Sequence, residues 1–202
     1  MNAQREKFRY EIVQGTQFSE FIPELAKLRM TVFREYPYLY DGTEDYEARY
    51  LGVYAKARTS LGVLVFCGDK MVGASTGVAM IEEGAEFVKP LRDHGIDPRD
   101  VFYLGESIVL KDFRGRGLGQ KFFDFRESHA RSLGRSITAF CAVERADDHP
   151  LRPQDYGPLD AFWKKQGYSR SEITTQLSWK EIGQENESPK TLRYWFKNQM
   201  SR

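Results

Sequence analysis

The sequence predicts a single domain of the mixed α/β (α+β) class, and three observations carry that expectation. Strand-like and helix-like segments alternate along the whole chain. The 202 residues suit one domain with a sizeable core, and no internal repeat, low-complexity tract or interdomain linker interrupts them. Finally, an apolar strand-like segment, a glycine run and a helix-like segment follow one another between Val101 and Leu133.

The elements follow in order. Phe8 to Val13 reads as a short opening strand ended by Gly15. Phe18 to Tyr36 has helical periodicity through Phe21, Leu25, Leu28 and Val32 and stops at Pro37. Thr43 is the expected N-cap of a second helix, with Tyr46, Tyr50, Val53 and Tyr54 on its apolar side. Leu61 to Phe66 and Met71 to Met80 read as strands joined by a hairpin turn at Gly68-Asp69-Lys70. Residues 82 to 100 are polar, contain Gly84, Pro90, Gly95 and Pro98, and read as a connection with one short helix. Val101 to Leu110 is the central strand. Leu118, Phe122, Phe125 and His129 then fall on one helical face, with Gly134 as C-cap. Ser136 to Val143 is a strand, Glu144 to Pro158 a charged, proline-containing loop, and Leu159 to Gln166 a helix. Two last strands, Ile173 to Trp179 and Leu192 to Phe196, flank the polar segment Gly183 to Lys190. The aromatic run Tyr194-Trp195-Phe196 suits the edge of a homodimer.

Bulk properties exclude several classes of function. A composition of 41 % hydrophobic and 29 % charged residues is that of an ordinary soluble domain. A formal charge of +1 removes the main electrostatic argument for nucleic acid or a membrane surface as partner. The opening residues Met1 to Lys7 are polar, without an apolar signal core, and no apolar run approaches the ~18 residues needed to cross a bilayer. Cys67 and Cys141 sit in strand-like apolar runs, where buried thiols are commoner than disulfides, so the cytoplasm is the expected compartment.

The chemistry starts at Arg114-Gly115-Arg116-Gly117-Leu118-Gly119. Glycines there let the backbone turn tightly and approach a ligand. The helix beginning just beyond them aims unpaired N–H groups and its positive dipole end into the turn, which makes an anion site, and the two arginines add planar donors suited to phosphate. A P-loop is a poor fit, because Gly119 is followed by Gln120 and Lys121 and no hydroxyl stands ready for magnesium. A dinucleotide fingerprint is a poor fit too. Counted from Gly115 its third glycine falls one position early, and Glu144 is too far along to be the ribose-binding acid.

In the pattern R-x-x-G-x-G (Arg114, Gly117, Gly119) the chain resembles the GNAT superfamily of acyl-CoA-dependent N-acyltransferases. Glu106-Ser-Ile-Val-Leu-Lys-Asp-Phe113 is similar to that family's fourth strand and its lead into the pyrophosphate loop. Leu159-Asp-Ala-Phe-Trp-Lys-Lys-Gln-Gly-Tyr168 is similar to its late helix and glycine turn. The likeness covers about residues 100 to 170 and leaves the subfamily open. It implies a GNAT-like domain spanning residues 1 to 202, with a central, mostly antiparallel, twisted sheet splayed between its fourth and fifth strands and helices on both faces. It also implies acetyl-CoA or another acyl-CoA as co-substrate and a primary amine of a small molecule or peptide as acceptor.

By the same resemblance, the backbone of Arg114, Gly115, Arg116, Gly117, Leu118 and Gly119 holds the pyrophosphate. The pantetheine arm pairs with the strand edge at Ile108, Val109 and Leu110, and the N–H of Val109 or Leu110 faces the thioester oxygen. Glu106 is the candidate general base. Strict alternation sets it beside Leu104 and Ile108 on a nearly continuous apolar strand, and a desolvated carboxylate there is poised to take a proton. A carboxylate with a purely structural role fits the same position. The family's thiolate-protonating tyrosine is the second residue of an F-Y pair, whereas this chain has Phe162-Trp163. Tyr156, Tyr168, water or no group at all could then serve, and a non-catalytic acyl-CoA-binding protein on the same fold is the rival reading.

The acceptor pocket is expected at Pro37 to Thr43 and Glu144 to Tyr156. Tyr38, Tyr40, Glu144, Arg145 and Arg152 are the candidate substrate-binding residues, weighed against a solvated loop with internal ion pairs. No metal is expected, since the adjacent residues Asp147-Asp148-His149 rarely converge on one ion and no second ligand cluster supports them.

Overall fold

A computed structural model describes residues 7 to 199, so the opening stretch Met1 to Glu6 lies outside the described residues. Strand β1 is Phe8–Val13, and the helices α1 and α2 are Phe18–Phe33 and Glu44–Lys56. The hairpin β2 (Leu61–Cys67) and β3 (Lys70–Ala79) leads to α3 (Ala85–Asp93). Two three-residue strands, β4 (Val101–Tyr103) and β5 (Ser107–Val109), precede α4 (Leu118–Ser132). The chain ends in β6 (Ile137–Val143), α5 (Asp160–Lys165), β7 (Ser169–Lys180) and β8 (Glu187–Asn198).

These strands form one sheet in the order β1-β2-β3-β4-β6-β8-β7, with β5 paired to β3 alone. All pairs are antiparallel except β4 with β6. Alternation along the central strands buries both faces. Val101 and Tyr103 of β4 and Ala139 and Cys141 of β6 join the cluster around α3. Phe102, Leu104 and Phe140 join the one around α4 and α5. Leu64, Phe66, Ala74 and Val78 pack against α1 and α2. Helices thus cover both sides of a mostly antiparallel open sheet.

Three sequence expectations change. The central strand is not continuous: the register sum is 181 for Val78↔Tyr103 and 182 for Ser75↔Ser107, so one extra residue lies between β4 and β5. Both Gly105 and Glu106 bond to Thr76 (Gly105 N–H to its carbonyl, 3.1 Å; the Glu106 carbonyl from its N–H, 3.1 Å), a β-bulge that bends the chain and re-aims one side chain. β7 and β8 are longer than the apolar runs suggested, because their polar outward residues continue the ladder down to a short turn after Glu181. β8 lies inside the sheet between β6 and β7, with Tyr194 and Trp195 at 0 and 2 % exposure, so the homodimer edge expected there is not an edge. No helix among the described residues is long and apolar enough to cross a membrane, and Cys67 and Cys141 are both free thiols.

Candidate active site

The sheet opens where β5 and β6 part. Leu104 still donates to the Ala139 carbonyl at 2.8 Å, but beyond that point β5 pairs only with β3 and β6 only with β8. Strand parity sets which atoms line the gap. The Leu110 N–H bonds the Val72 carbonyl at 2.9 Å, and the Glu106 carbonyl also faces β3, so the backbone polar groups of Ser107 and Val109 point the other way, into the cleft. Of the two donors expected at the thioester, the Leu110 N–H is therefore committed to the sheet and the Val109 N–H faces the opening. Ile108 turns its backbone to β3 and its side chain, 1 % exposed, into the α1–α2 core.

The glycine run closes one end of this cleft. Gly115 and Gly117 have φ of +74° and +82°, backbone that side-chain-bearing residues rarely adopt. Gly117 is the N-cap of α4, whose first internal bond, Lys121 N–H to the Gly117 carbonyl, is 3.3 Å; the N–H groups before it have no acceptor one turn back. A Cβ on Gly119 would come within 3.3 Å of the Phe162 ring, so that glycine lets α5 sit against α4. Leu118 anchors the turn in the core at 2 % exposure. The Arg114 side chain is used within the protein: Nε bonds the Val109 carbonyl at 2.9 Å, and both terminal nitrogens fork onto Glu35 at 2.9 Å. It ties the turn to the cleft edge and to the end of α1. Arg116 caps the Asp112 carbonyl at 2.9 Å and lies over the Phe113 ring. Gly117→Val is expected to distort this turn and lower the melting temperature measured by calorimetry, since a β-branched residue at its φ of +82° costs about 1–2 kcal/mol locally.

Glu106 stands on the bulge, 6 % exposed. The bulge inverts the face expected from simple alternation. Leu104 joins the α4 side, while the Glu106 carboxylate turns to α1 and α2. There it meets Arg29 Nη1 at 2.7 Å, and the same guanidinium bonds Glu47, which is fully buried. Burial works against the Arg29 charge, but the carboxylates of Glu106 and Glu47 more than offset it and hold its pKa well above the ordinary arginine value. Tyr50 stacks under this guanidinium at 4.2 Å and holds its hydroxyl 3.5 Å from Glu106 Oε2. Glu106 Oε1 and Glu47 Oε1 are buried with no hydrogen-bond partner among the described residues. A buried polar atom so placed is unusual unless a ligand or water meets it.

Behind the bulge lies Arg126, 1 % exposed, donating to the carbonyls of Glu106 (2.9 Å) and Thr76 (3.2 Å) and to Ser107 Oγ (2.7 Å). Burial lowers its pKa to about 10. Sequence reading passed over Arg29, Glu47 and Arg126. Each nevertheless sits at a position where helical spacing demands a core residue: Arg29 four after Leu25, Glu47 three before Tyr50, Arg126 four after Phe122.

No family model and no curated protein matches the sequence. Solved structures do resemble this one. A Desulfovibrio desulfuricans protein described as a GNAT-family acetyltransferase shares 12 % identity at a TM-score of 0.59, over 96 % of this chain and 99 % of that one. An Acinetobacter baylyi ADP1 protein described as an acetyltransferase shares 12 % at 0.62, over 98 and 94 %. PaiA N-acetyltransferase from Thermoplasma acidophilum, solved in complex with coenzyme A, shares 10 % at 0.55, over 94 and 99 %. The chain has the GNAT fold.

On that GNAT fold the remaining candidates separate clearly. The loop after α1 is tied to the end of β7: Tyr40 bridges Glu181, and the Asp41 N–H bonds the Lys180 carbonyl at 2.9 Å. Tyr38 packs its ring on Phe33 and Trp179 (4.6 and 5.9 Å between centroids), and burial pushes its hydroxyl pKa up. Tyr40, 9 % exposed, directs its hydroxyl toward Glu47, and burial with the Glu47 charge pushes its pKa up. Beyond Tyr40 opens a pocket of about 380 Å³ lined by Tyr46, Arg49, Trp179, Lys180 and Glu187.

The charged residues after β6 are occupied otherwise. Arg145 donates to the carbonyls of Pro37 (2.7 Å) and Tyr38 (3.0 Å) and to Glu181 (2.5 Å), so it braces the loop. Glu144 accepts from Arg193 (2.5 Å) and Arg170 (2.5 Å), and these bonds hold its carboxyl below the usual range. Arg152 pairs with Asp147 at 2.6 Å on the surface. Only the Arg152–Asp147 pair lies within the loop itself; Arg145 and Glu144 reach to Glu181 and to Arg170 and Arg193 on other segments. Tyr168 is also spent, bonded to Thr138 (2.8 Å) and Glu127 (3.1 Å) inside the core. Trp163 packs between Phe140 and Trp195, at 5.1 Å from each ring. Tyr156 lies across Tyr36 (4.6 Å between centroids) in the loop after β6. Among the described residues no group of three or more His, Cys, Asp or Glu could hold a metal ion.

Proposed function

We propose that this protein transfers the acetyl group of acetyl-CoA to a primary amine of a small molecule or peptide by direct attack on the thioester. The observation that carries the reading is the open edge of β5, which ends at a glycine turn on a helix N-terminus and begins at a buried carboxylate. Acyl transfer needs those three parts in that order: an anion site for the pyrophosphate, a strand edge for the amide-bearing pantetheine, and a base beside the thioester. In this reading the backbone from Arg114 to Gly119 takes the pyrophosphate. The Val109 N–H donates to the oxygen of the tetrahedral intermediate. Glu106, held by Arg29, takes the proton of the amine. The thiol has a reference pKa near ~8.5, so its thiolate leaves without a dedicated acid. The neighbour solved with coenzyme A supports the choice of donor.

Trp163 favours a second reading, a non-catalytic acyl-CoA-binding protein, because an indole locked in an aromatic core replaces the hydroxyl that the resembling family uses there. Two measurements decide. CoA is expected to raise the melting temperature where ATP and NAD do not, and an amine panel with acetyl-CoA is expected to release free thiol. A well-folded protein that CoA leaves unshifted overturns both readings. Stabilisation without thiol release from any amine favours the second.

A further inference from the structure

We propose that the acceptor is bound as an ammonium by the negative charge left over where Glu47 and Glu106 share one guanidinium, with Glu47 as a positioning residue; the proposal deepens the acyl-transfer reading and rests on it. Arg29 bonds Glu47 through Nε and Glu106 through Nη1, the latter at 2.7 Å. Two carboxylates on one guanidinium leave one negative charge over, and none of the three residues is more than 6 % exposed. An unpaired charge held away from water is costly, so buried charges are found paired or neutralised. The oxygens show which atom is left for the missing partner. Oε2 of each carboxylate is in use, on Glu47 by Arg29 and on Glu106 by Arg29 and by the Tyr50 hydroxyl at 3.5 Å. Oε1 of each is buried with no hydrogen-bond partner among the described residues, so no other donor draws the charge off. The fitting partner is a cation that brings its own N–H donors, and a primary ammonium brings three.

The other groups facing the cluster leave that balance standing. From the α4 side, Arg126 spends its donors on the carbonyls of Phe122, Glu106 and Thr76 and on Ser107 Oγ, and among the described residues it pairs with no carboxylate. Tyr40 and Tyr50 face the carboxylates as neutral phenols, burial holding their pKa values above the ordinary one. Glu83, just before α3, brings a further carboxyl within range of Glu106 and no cation. Glu47 sets the charge without touching the acceptor. It is fully buried, whereas Glu106 stands at the start of the open β5 edge. Were position 47 neutral, Arg29 and Glu106 would be a closed pair with nothing left for a cation. With Glu47 ionised, the guanidinium is compensated at Nε and Glu106 Oε1 keeps its charge for the acceptor. The same oxygen then takes the proton: the ammonium N–H bond breaks, its electron pair stays on nitrogen to attack the thioester, and an O–H bond forms on Glu106. The substrate class follows. An alkyl amine, a lysine-like group of reference pKa near ~10.4, arrives charged at neutral pH, and an aryl amine arrives neutral.

The test starts from the amine that releases thiol fastest from acetyl-CoA in a panel of alkyl and aryl amines, with the alcohol of the same skeleton as a neutral probe. The wild-type protein is expected to bind that alcohol, read as a competitive inhibitor, about tenfold or more weakly than the amine. Glu47→Gln is expected to raise KM for the amine about tenfold, close to the inhibition constant of the alcohol, with KM for acetyl-CoA and the CoA-induced thermal shift unchanged. Glu47→Asp keeps the charge and is expected to keep the preference. Melting curves check that each variant is folded, and the wild-type comparison stands without either. An alcohol that binds as well as the amine would mean that a proton already quenches the odd charge. That result, thiol release from aryl amines alone, or an undiminished preference in folded Glu47→Gln overturns the cation site and leaves the transfer reading intact. Absence of thiol release with every amine overturns both.

Discussion

If the proposed acyl transfer holds, Glu106→Gln is expected to retain the CoA-induced thermal shift and to lower turnover by about tenfold or more near neutral pH. The amide keeps the size of the carboxylate. Arg29 keeps Glu47, and the backbone bonds of residue 106 to Thr76 and Arg126 do not involve the side chain. The β5 edge and the glycine turn therefore survive, and with them the donor site. What goes, in the proposed mechanism, is the proton acceptor beside the thioester. The measurement is initial-rate thiol release at saturating acetyl-CoA, paired with melting curves with and without CoA. Unchanged turnover removes Glu106 from the chemistry and leaves it as a partner of Arg29.

Arg29→Met has the largest expected effect on stability. Among the described residues the guanidinium is the cation that pairs with both Glu47 and Glu106, all three nearly sealed from water. Methionine matches the stem but leaves two buried carboxylates facing each other uncompensated, which costs about 3–5 kcal/mol. Chemical denaturation should show that loss as a shift in midpoint at unchanged slope. The triple variant Arg29→Met, Glu47→Gln, Glu106→Gln removes both charges and should recover much of it. A single variant as stable as the wild type would mean that water already compensates the cluster.

The glycine turn proposed to hold the donor was legible in the sequence because it is local. Arg114 to Gly119 are contiguous, positive φ at two of the glycines is a property of the backbone itself, and the helix that follows starts where its periodicity starts. Glu106 was also singled out, but for a reason the structure reverses. Alternation set it with Leu104, and the bulge opposite Thr76 puts the two on opposite faces. A one-residue register shift leaves no mark in an apolar run except a glycine, and Gly105 was that mark. The acceptor side was least legible. For Glu144, Arg145 and Arg152 the sequence left substrate binding and internal ion pairs both open, because the partners Arg193, Glu181 and Asp147 are named by packing and two of the three are distant in sequence. Arg29, Glu47 and Arg126 were hidden by the opposite habit, of reading charge as surface.

Sequence alone determined the alternation of helices and strands, the position of the anion-binding turn and the residue types available for chemistry, since these follow from short-range backbone preference and periodicity. Tertiary structure alone decided where the sheet opens, which N–H faces the opening, and which charges meet in the interior. Those depend on strand register and on contacts between residues 18 to 77 positions apart, such as Arg29 with Glu47 and with Glu106. No local rule encodes them; they arise only when the helices close over the sheet and buried charges must find one another.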